Sequence, residues 1–418
     1  MSRRQENSIS IPKGSDPSRQ RRISARLIRI CVFLGIVLFN LVVRLSREFS
    51  DWYTASIFPV WGKTLGRFTS LFPFSVGEWA ILFGLSWLFI QGILLLLWGA
   101  EHLRSRRHKR GKKARSQAED KPVEPEPATR VDRPWSRRAR RMLGGTINIL
   151  LGIGVIMSLN CFVLYQCTPI DPPATSRSYT QTELAALRDL IVTECNERSV
   201  QVPRDPAGEV IFAGTPADEA RAAMDTLGKR LLPRLSGWSV RPKTFFFSDF
   251  ISQQHMMGYY FPFTMEANIN GRMETLNKPF TMCHELAHTH GYLYEDEANL
   301  IGFLACLSSE DPVFVYSGYL GVLNYVNNDF YRSVGKEIYA QHPVIEDQVW
   351  LDARFLSEES WAAVEEHALF DTETVHSAAT TFIDQNQKLN GIADGKASYT
   401  RVVGLLLSYY SGQAAYLK

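Results

Sequence analysis

The sequence predicts a mainly α-helical protein of the α+β class, in which three transmembrane helices precede an extracytoplasmic domain with a small sheet. Three observations lead to this prediction. Three apolar runs are long enough to cross a bilayer, and basic side chains cluster beside alternate ends of them. The rest of the chain combines helical periodicity with two short aromatic segments that are typical of strands.

The apolar runs cover about residues 27–45, 77–98 and 142–165. Each is close to the length of about twenty residues that a helix needs to cross the hydrocarbon core. The second run has a tryptophan at either end, as expected at a membrane interface. The third contains several small residues, which favour close packing against the other two spans. These residues are Gly144, Gly145, Gly152 and Gly154.

The charge of the loops predicts the orientation. Residues 1–29 hold eight basic and two acidic side chains, residues 101–141 hold fifteen and six, and residues 47–78 hold three of each. Since Lys and Arg favour the cytoplasmic side, we expect a cytoplasmic tail over 1–26 and a cytoplasmic loop over 101–141. The membrane region then spans 27–165, and residues 166–418 form a domain outside the cytoplasm.

The basic run 104–115 has the charge of a nucleic-acid patch, but it lacks interleaved aromatic residues and adjoins a predicted span. Attraction to anionic headgroups accounts for it, so we expect membrane lipid as a partner and no nucleic acid. The run 121–127, rich in Pro and Glu, is predicted to be a disordered linker.

In the outer domain, hydroxyl residues from Ser178 and a proline at Pro216 are typical of helix starts. Residues 243–248 and 258–270 are rich in aromatic and β-branched residues, which favours strands. Pro262 favours an edge position for the second strand, where an extended peptide could add as a further strand. An ordinary half-buried sheet edge is an equal alternative. After Leu307 the helical pattern returns.

The most informative motif is H-E-x-x-H at His284, Glu285 and His288. Histidines four residues apart lie on the same face of a helix, where both rings can bind one zinc ion. Glu285 is placed to act as the general base that takes a proton from an activated water. Gly291 stands where a helix cap is expected. A core helix with merely hydrogen-bonded histidines is the less favoured alternative.

A catalytic zinc site needs a third protein ligand, and several nearby residues are candidates. Tyr294 occupies the third position of the metzincin pattern, but a phenol is a poor substitute for histidine. His290 lies two residues from His288 and so points away from the metal if the helix continues. Glu297 is favoured because it lies in the first turn of a second predicted helix, and Glu295 is the alternative.

A hydrolase of this kind also needs a donor that stabilises the oxyanion. The candidates by residue type are Tyr316, Tyr319, Tyr399 and Arg401. No spacing fixes the role of any of them, and an ordinary core or surface contact is the favoured alternative for each. Among them Tyr399 and Arg401 are preferred as donors, since they follow a Gly-containing loop and lie near a predicted helix start.

The segment Pro279–Leu320, with HELAH, EDEAN, FLAC and YSGYL, closely resembles the DUF3810 family of bacterial membrane proteins, and more generally the gluzincin metallopeptidases. The resemblance implies a three-pass protein of the bacterial plasma membrane with a zincin-like domain. It also implies an H-E-x-x-H-x8-E set of zinc ligands, here His284, His288 and Glu297.

The function expected from these observations is that of a membrane-anchored zinc metallopeptidase, which hydrolyses a peptide or protein outside the cytoplasm. Two alternatives remain open. The first is a sensor or assembly protein that keeps the fold without turnover, which the presence of Glu285 disfavours. The second is a zinc hydrolase that acts on a non-protein amide.

The predicted orientation is testable with topology reporters. Alkaline phosphatase should be active when fused after Lys418 and inactive when inserted in the loop 101–141, because the enzyme folds only outside the cytoplasm. A green fluorescent protein should show the opposite pattern at the same two positions. The reverse result for both reporters would contradict the orientation derived from the charged loops.

Overall fold

The computed structural model describes residues 17–118, 134–170, 179–389 and 395–412. These residues form a mainly helical protein with one small mixed sheet, as predicted. The α-helices, in chain order, are α1 (Pro17–Leu45), α2 (Arg47–Ser56), α3 (Phe58–Trp61), α4 (Arg67–Thr69), α5 (Val76–Ala118), α6 (Pro134–Met157), α7 (Gln181–Ser199), α8 (Pro216–Arg230), α9 (Ser248–Gln253), α10 (Lys278–Thr289), α11 (Glu295–Cys306), α12 (Pro312–Tyr339), α13 (Asp347–Asp352), α14 (Glu358–Glu366), α15 (Thr372–Leu389) and α16 (Gly395–Tyr410).

Three helical segments are long and apolar enough to cross a membrane: Ser24–Leu45, Val76–Arg104 and Arg141–Gln166. They coincide with the three predicted spans. Helix α5 continues to Ala118, so the start of the basic loop is helical rather than irregular. Arg and Lys are good helix formers, which allows the helix to continue beyond the apolar segment. The predicted linker 121–127 lies outside the described residues.

Glycines on the third span permit close helix packing, as the sequence predicted. A Cβ atom on Gly145 would lie 2.8 Å from the Trp87 ring of α5, and one on Gly154 would lie 3.3 Å from Ile36 of α1. Arg29 of α1 donates hydrogen bonds to Asn148 and to the carbonyl of Gly144. Gly152, by contrast, faces open space.

The sheet has three short strands, β1 (Lys243–Thr244), β2 (Gly258–Phe261) and β3 (Glu266–Ile269), in the order β1-β3-β2. β1 is parallel to β3, and β2 is antiparallel to it. The predicted strand 258–270 is thus a hairpin. Pro262 lies in its turn, where its missing N–H is no loss, and not within an edge strand. β2 is nevertheless an edge strand of this sheet.

Helix α10, which carries the H-E-x-x-H motif, belongs to the part of the chain that follows the third candidate span. It packs against α8, α11 and α12 and against β2 and β3. The two predicted helices before the motif are present as α7 and α8. Thr180 and Glu183 form a reciprocal capping box at the start of α7, and Pro216 is the first residue of α8.

A second hydrophobic cluster joins the candidate membrane helices to the part of the chain that follows them. It contains Val43 of α1, Tyr53 and Phe58 of the connection between the first two spans, and Leu164 at the end of the third. Tyr260, Met265 and Leu293 complete it from residues 166–418. The cluster thus contains residues from both sides of residue 166, where the third candidate span ends.

A buried ion pair attaches the sheet to the first turn of α5. Lys243 Nζ lies 2.5 Å from Glu266 Oε1, and both side chains are at most 4 % exposed. Lys243 also donates to the carbonyls of Thr69 and Phe74. The Glu266 carboxylate accepts the backbone N–H groups of Val76 and Gly77, two unpaired donors of the helix start.

Removal of either partner would leave the other charge buried and uncompensated. We expect Lys243→Met or Glu266→Gln to lower the free energy of unfolding by about 3–5 kcal/mol. Denaturant unfolding of the full chain in detergent measures this quantity. The matched control is Lys229→Met, which removes an exposed pair with Asp225 on α8 and should cost at most about 1 kcal/mol. Equal losses for the buried and the exposed pair would contradict the expectation.

Candidate metal centre

Helix α10 presents His284 and His288 on one face, since residues four apart lie one above the other. Their rings lie 4.8 Å apart between centroids and are nearly perpendicular. The helix ends at Thr289, and Gly291 adopts φ 89°, the left-handed conformation predicted for a cap. A Cβ atom there would also lie 2.8 Å from Thr54, so glycine is required by the close approach of α2 as well.

Glu295, the first residue of α11, completes a group of three donors. Its carboxylate oxygens lie 3.2 Å from Nε2 of His284 and 3.9 Å from Nε2 of His288. One donor atom from each residue lies within 4.8 Å of the other two. Two imidazole nitrogens and one carboxylate oxygen fit a zinc ion, and three protein ligands are typical of catalytic zinc sites.

Each histidine ring is held by a hydrogen bond on its other nitrogen. His288 Nδ1–H donates to the carbonyl of Tyr292 at 2.7 Å, and His284 Nδ1 lies 2.9 Å from Oδ1 of Asn299. Because a carbonyl only accepts, the proton of His288 is on Nδ1 and the lone pair of Nε2 faces Glu295. Metal-binding histidines are commonly oriented in this way.

The electrostatics of the group favour the metal-binding forms of Glu295 and His288. Burial lowers the pKa of His284, but the hydrogen bond and the charge of Glu295 outweigh burial and raise this pKa, so a metal ion would displace a proton from this ring. The Glu295 side chain is 43 % exposed. Partial desolvation disfavours its charge, but the hydrogen bond from His284 and the proximity of both histidine rings outweigh this effect and lower the pKa of Glu295 to about 2. Burial lowers the pKa of His288 to about 4, so this ring is neutral near pH 7. An ionised carboxylate and a neutral imidazole are the forms that bind metal.

Glu285 lies in a different environment from Glu295. Its side chain is buried, and Oε2 has no hydrogen-bond partner among the described residues. A Cβ atom on Gly258, at the start of β2, would lie 2.5 Å from Oε1 of Glu285, so the strand and the carboxylate are in close contact. Burial raises the pKa of Glu285 to about 8. This carboxyl group can therefore gain or lose a proton near neutral pH.

Glu297, the favoured third ligand from the sequence, does not join the histidines. Its Oε1 accepts the N–H of Ile170 at 2.6 Å, and burial raises its pKa to about 7. Residues two apart on a helix differ in direction by about 200°, so only one of Glu295 and Glu297 can face α10. The structure assigns that position to Glu295, the alternative considered from the sequence.

The other two candidates for the third ligand have partners of their own. His290 bonds Ser239 Oγ through Nε2 and the carbonyl of Arg234 through Nδ1, and so points away from the group as predicted. The hydroxyl of Tyr294 donates to the carbonyl of Tyr165 at 2.6 Å.

Three of the four candidates for the oxyanion donor have side chains that the structure describes, and each contacts residues other than the three donors. Arg401 pairs with Asp296 at 3.0 Å, and the Tyr316 hydroxyl donates to Asp352 at 2.9 Å. Tyr319 packs on the Phe303 ring. Tyr399 belongs to α16, but its side chain lies outside the described part of the structure.

Two residues of β2 were missed by reasoning from the sequence. Gly258 makes room for Glu285, and a glycine in an aromatic strand is the signal that could have indicated a close approach. Tyr259 lies near enough that burial, together with the charges of Glu285 and Glu295, raises its pKa to about 12. Its hydroxyl is therefore protonated and able to donate near neutral pH.

Comparison with known proteins gave one match. A family model described as "Protein of unknown function (DUF3810)" matches residues 127–407, which is more than half of the chain. The family predicted from the sequence motifs is thereby confirmed. Searches of curated proteins and of solved structures found no match.

The geometry predicts which residues are needed for zinc binding. The full chain, purified in detergent, should carry one zinc ion, measured by mass spectrometry of the metal. We expect this content to fall sharply when any of the three donors is replaced by alanine: His284, His288 or Glu295. Asn299→Ala removes the hydrogen bond that orients His284, together with a long one to the Tyr325 hydroxyl, and should weaken zinc affinity by roughly 10–100-fold.

Two neighbours in the sequence serve as controls for this experiment. Glu297→Ala and His290→Ala each remove a side chain that is close in sequence but bonded elsewhere, and both should retain zinc. Zinc lost with Glu297→Ala but kept with Glu295→Ala would restore the ligand set implied by the family resemblance.

Proposed function

The chain belongs to the DUF3810 family, and we propose that it is a membrane-anchored zinc metallopeptidase that cleaves a peptide or protein outside the cytoplasm. One observation carries the proposal. His284, His288 and Glu295 form one compact group of donors, and the buried carboxyl group of Glu285 follows directly on the same helix. This constellation suits hydrolysis, because it combines a metal site with a separate proton acceptor.

The three donors would hold the zinc ion through Nε2 of each histidine and a carboxylate oxygen of Glu295. When bound, zinc supplies Lewis acidity, which activates a water and polarises a carbonyl. The hydrogen bonds from Nδ1 of both rings keep the Nε2 atoms directed at this point. A site with three ligands differs from structural zinc sites, which are closed by four.

Glu285 would move the proton in this reaction. Its Oε2 has no hydrogen-bond partner among the described residues, and its pKa of about 8 lets it exchange a proton near neutral pH. The ionised form would accept a proton from the attacking water, and the acid so formed would return it to the leaving amine. Because Gly258 has no side chain, the carboxylate of Glu285 can lie directly against β2, where a Cβ atom would clash with it. We propose Tyr259 as the donor to the oxyanion, in place of Arg401, whose guanidinium pairs with Asp296.

The edge position of β2 favours a polypeptide as substrate. β2 pairs with β3 along one side only, and its first residue, Gly258, touches Glu285. An extended peptide that added beside β2 would therefore pass close to the catalytic carboxylate. This arrangement supports a peptide substrate over other amides, which have no use for an open strand edge.

The decisive variant is Glu285→Gln, which keeps the shape of the side chain and removes its basicity. We expect zinc content to be unchanged and hydrolysis to fall by roughly 10²–10⁴-fold, the usual contribution of a general base. Cleavage is measured on a peptide library by mass spectrometry, with the full chain in detergent or vesicles.

Glu274→Gln is the matched control, since Glu274 is a partly buried glutamate just before α10 with no contact to the donors. It should leave the rate unchanged. Cleavage that survives Glu285→Gln would exclude the proposed role of that residue. Full zinc content without cleavage of any peptide would favour the sensor or assembly function.

A further inference from the structure

Several large apolar side chains are exposed around the first turn of α5, on the side of the outer domain. We call this set the aromatic rim. Its members are Phe68, Leu71, Phe74, Trp79, Phe246, Phe247 and Phe250. Leu71 is 77 % exposed and Phe246 is 73 % exposed, values that are costly in water for side chains of this size. Clustered exposed apolar residues usually mark an interaction surface.

The rim draws on two distant parts of the chain that are firmly joined. Glu78, in the first turn of α5, accepts the backbone N–H groups of Phe246 and Phe247 at 2.9 and 3.0 Å. Lys243, on the adjoining strand β1, donates to the carbonyl of Phe74 at 3.0 Å. The segment Phe246–Phe250 of the outer domain is thus held at the level where α5 begins.

This level coincides with the end of a candidate membrane span. The apolar segment of α5 starts at Val76, and Trp79 lies within its first turn. Aromatic side chains concentrate where the hydrocarbon core meets the headgroups. The exposed surface also continues down α5, where Phe83 and Phe89 are 65 % and 71 % exposed. The rim therefore extends the lipid-facing surface of α5 onto the outer domain.

We infer that the aromatic rim inserts into the headgroup region of the adjacent leaflet, with phospholipid as its partner. The continuity with α5 favours lipid over a protein, because any bilayer around the span meets Phe246 and Phe250 at the same height. The outer domain then rests on the membrane surface through Phe246 and Phe250, in addition to its covalent link to the spans. Insertion removes these phenylalanines from water, which is favourable for apolar side chains at the interface.

The inference also sets the height of the candidate metal centre. β2 begins at Gly258, against Glu285, and ends at Phe261, whose ring contacts Gly77 in the first turn of α5. Three residue steps along a strand span about 10 Å. Glu285 therefore lies close to the bilayer surface. If the proposed function holds, substrates would present to Glu285 a segment that lies beside the membrane. Only this last step rests on the proposed function.

Photocrosslinking tests the inference without any need for activity. The photoreactive residue p-benzoylphenylalanine replaces Phe246 or Phe250 in the full chain, which is reconstituted in vesicles of phosphatidylethanolamine and phosphatidylglycerol. After irradiation, intact-mass and peptide mass spectrometry detect adducts. We expect phospholipid adducts at both positions, with a yield comparable to that at Phe89 on the lipid-facing surface of α5.

Val200 provides the matched negative control, since it is 83 % exposed at the end of α7, a helix that packs on α12, α13 and α16. No lipid adduct is expected there. Adducts at Phe89 alone would overturn the inference, and so would adducts to a second copy of the chain at Phe246 or Phe250. Retained unfolding midpoints confirm that the variants are folded. Lipid adducts without peptidase activity would support insertion of the aromatic rim into the membrane and would contradict the proposed function.

Discussion

The arrangement of this protein depends on the buried pair between Lys243 and Glu266, which fastens the sheet to the first turn of α5. The charges compensate each other, and Glu266 also binds two amides that the helix start leaves unpaired. Because β3 carries Glu266 and pairs with β2, the pair also fixes where Gly258 meets Glu285. The buried ion pair that joins the sheet to α5 thus also helps to fix the position of β2 beside Glu285.

The chemistry of the site follows from the different surroundings of two glutamates. Glu295, which is partly exposed, meets two histidines, and they lower the pKa of its carboxyl group. Glu285 meets the backbone of β2 and apolar neighbours, and burial raises its pKa to about 8. The separation of pKa values between neighbouring carboxyl groups is a common way to divide the roles of ligand and base. In the proposed function, the contacts of α10 with β2, β3 and α11 provide these different surroundings.

The membrane helices are part of the structure that carries the site. The second hydrophobic cluster contains residues of the first and third spans and residues beside the motif, and Gly291 packs on Thr54 of α2. Excision of residues 166–418 would expose this cluster and leave Lys243 and Glu266 without the start of α5. Zinc binding and hydrolysis are therefore properties to be measured on the full chain, with its spans in lipid or detergent.

The sequence by itself determined the three spans, the helix with His284 and His288, and the cap at Gly291, since these depend on local length, period and backbone preference. It also identified the family. The choice of Glu295 over Glu297 depended on the rotation of α11 about its axis, which the packing of α10, α12 and α16 sets. The contact of Gly258 with Glu285 and the ion pair of Lys243 were likewise decided only by the tertiary structure, because they join segments whose separation in the sequence carries no periodic signal.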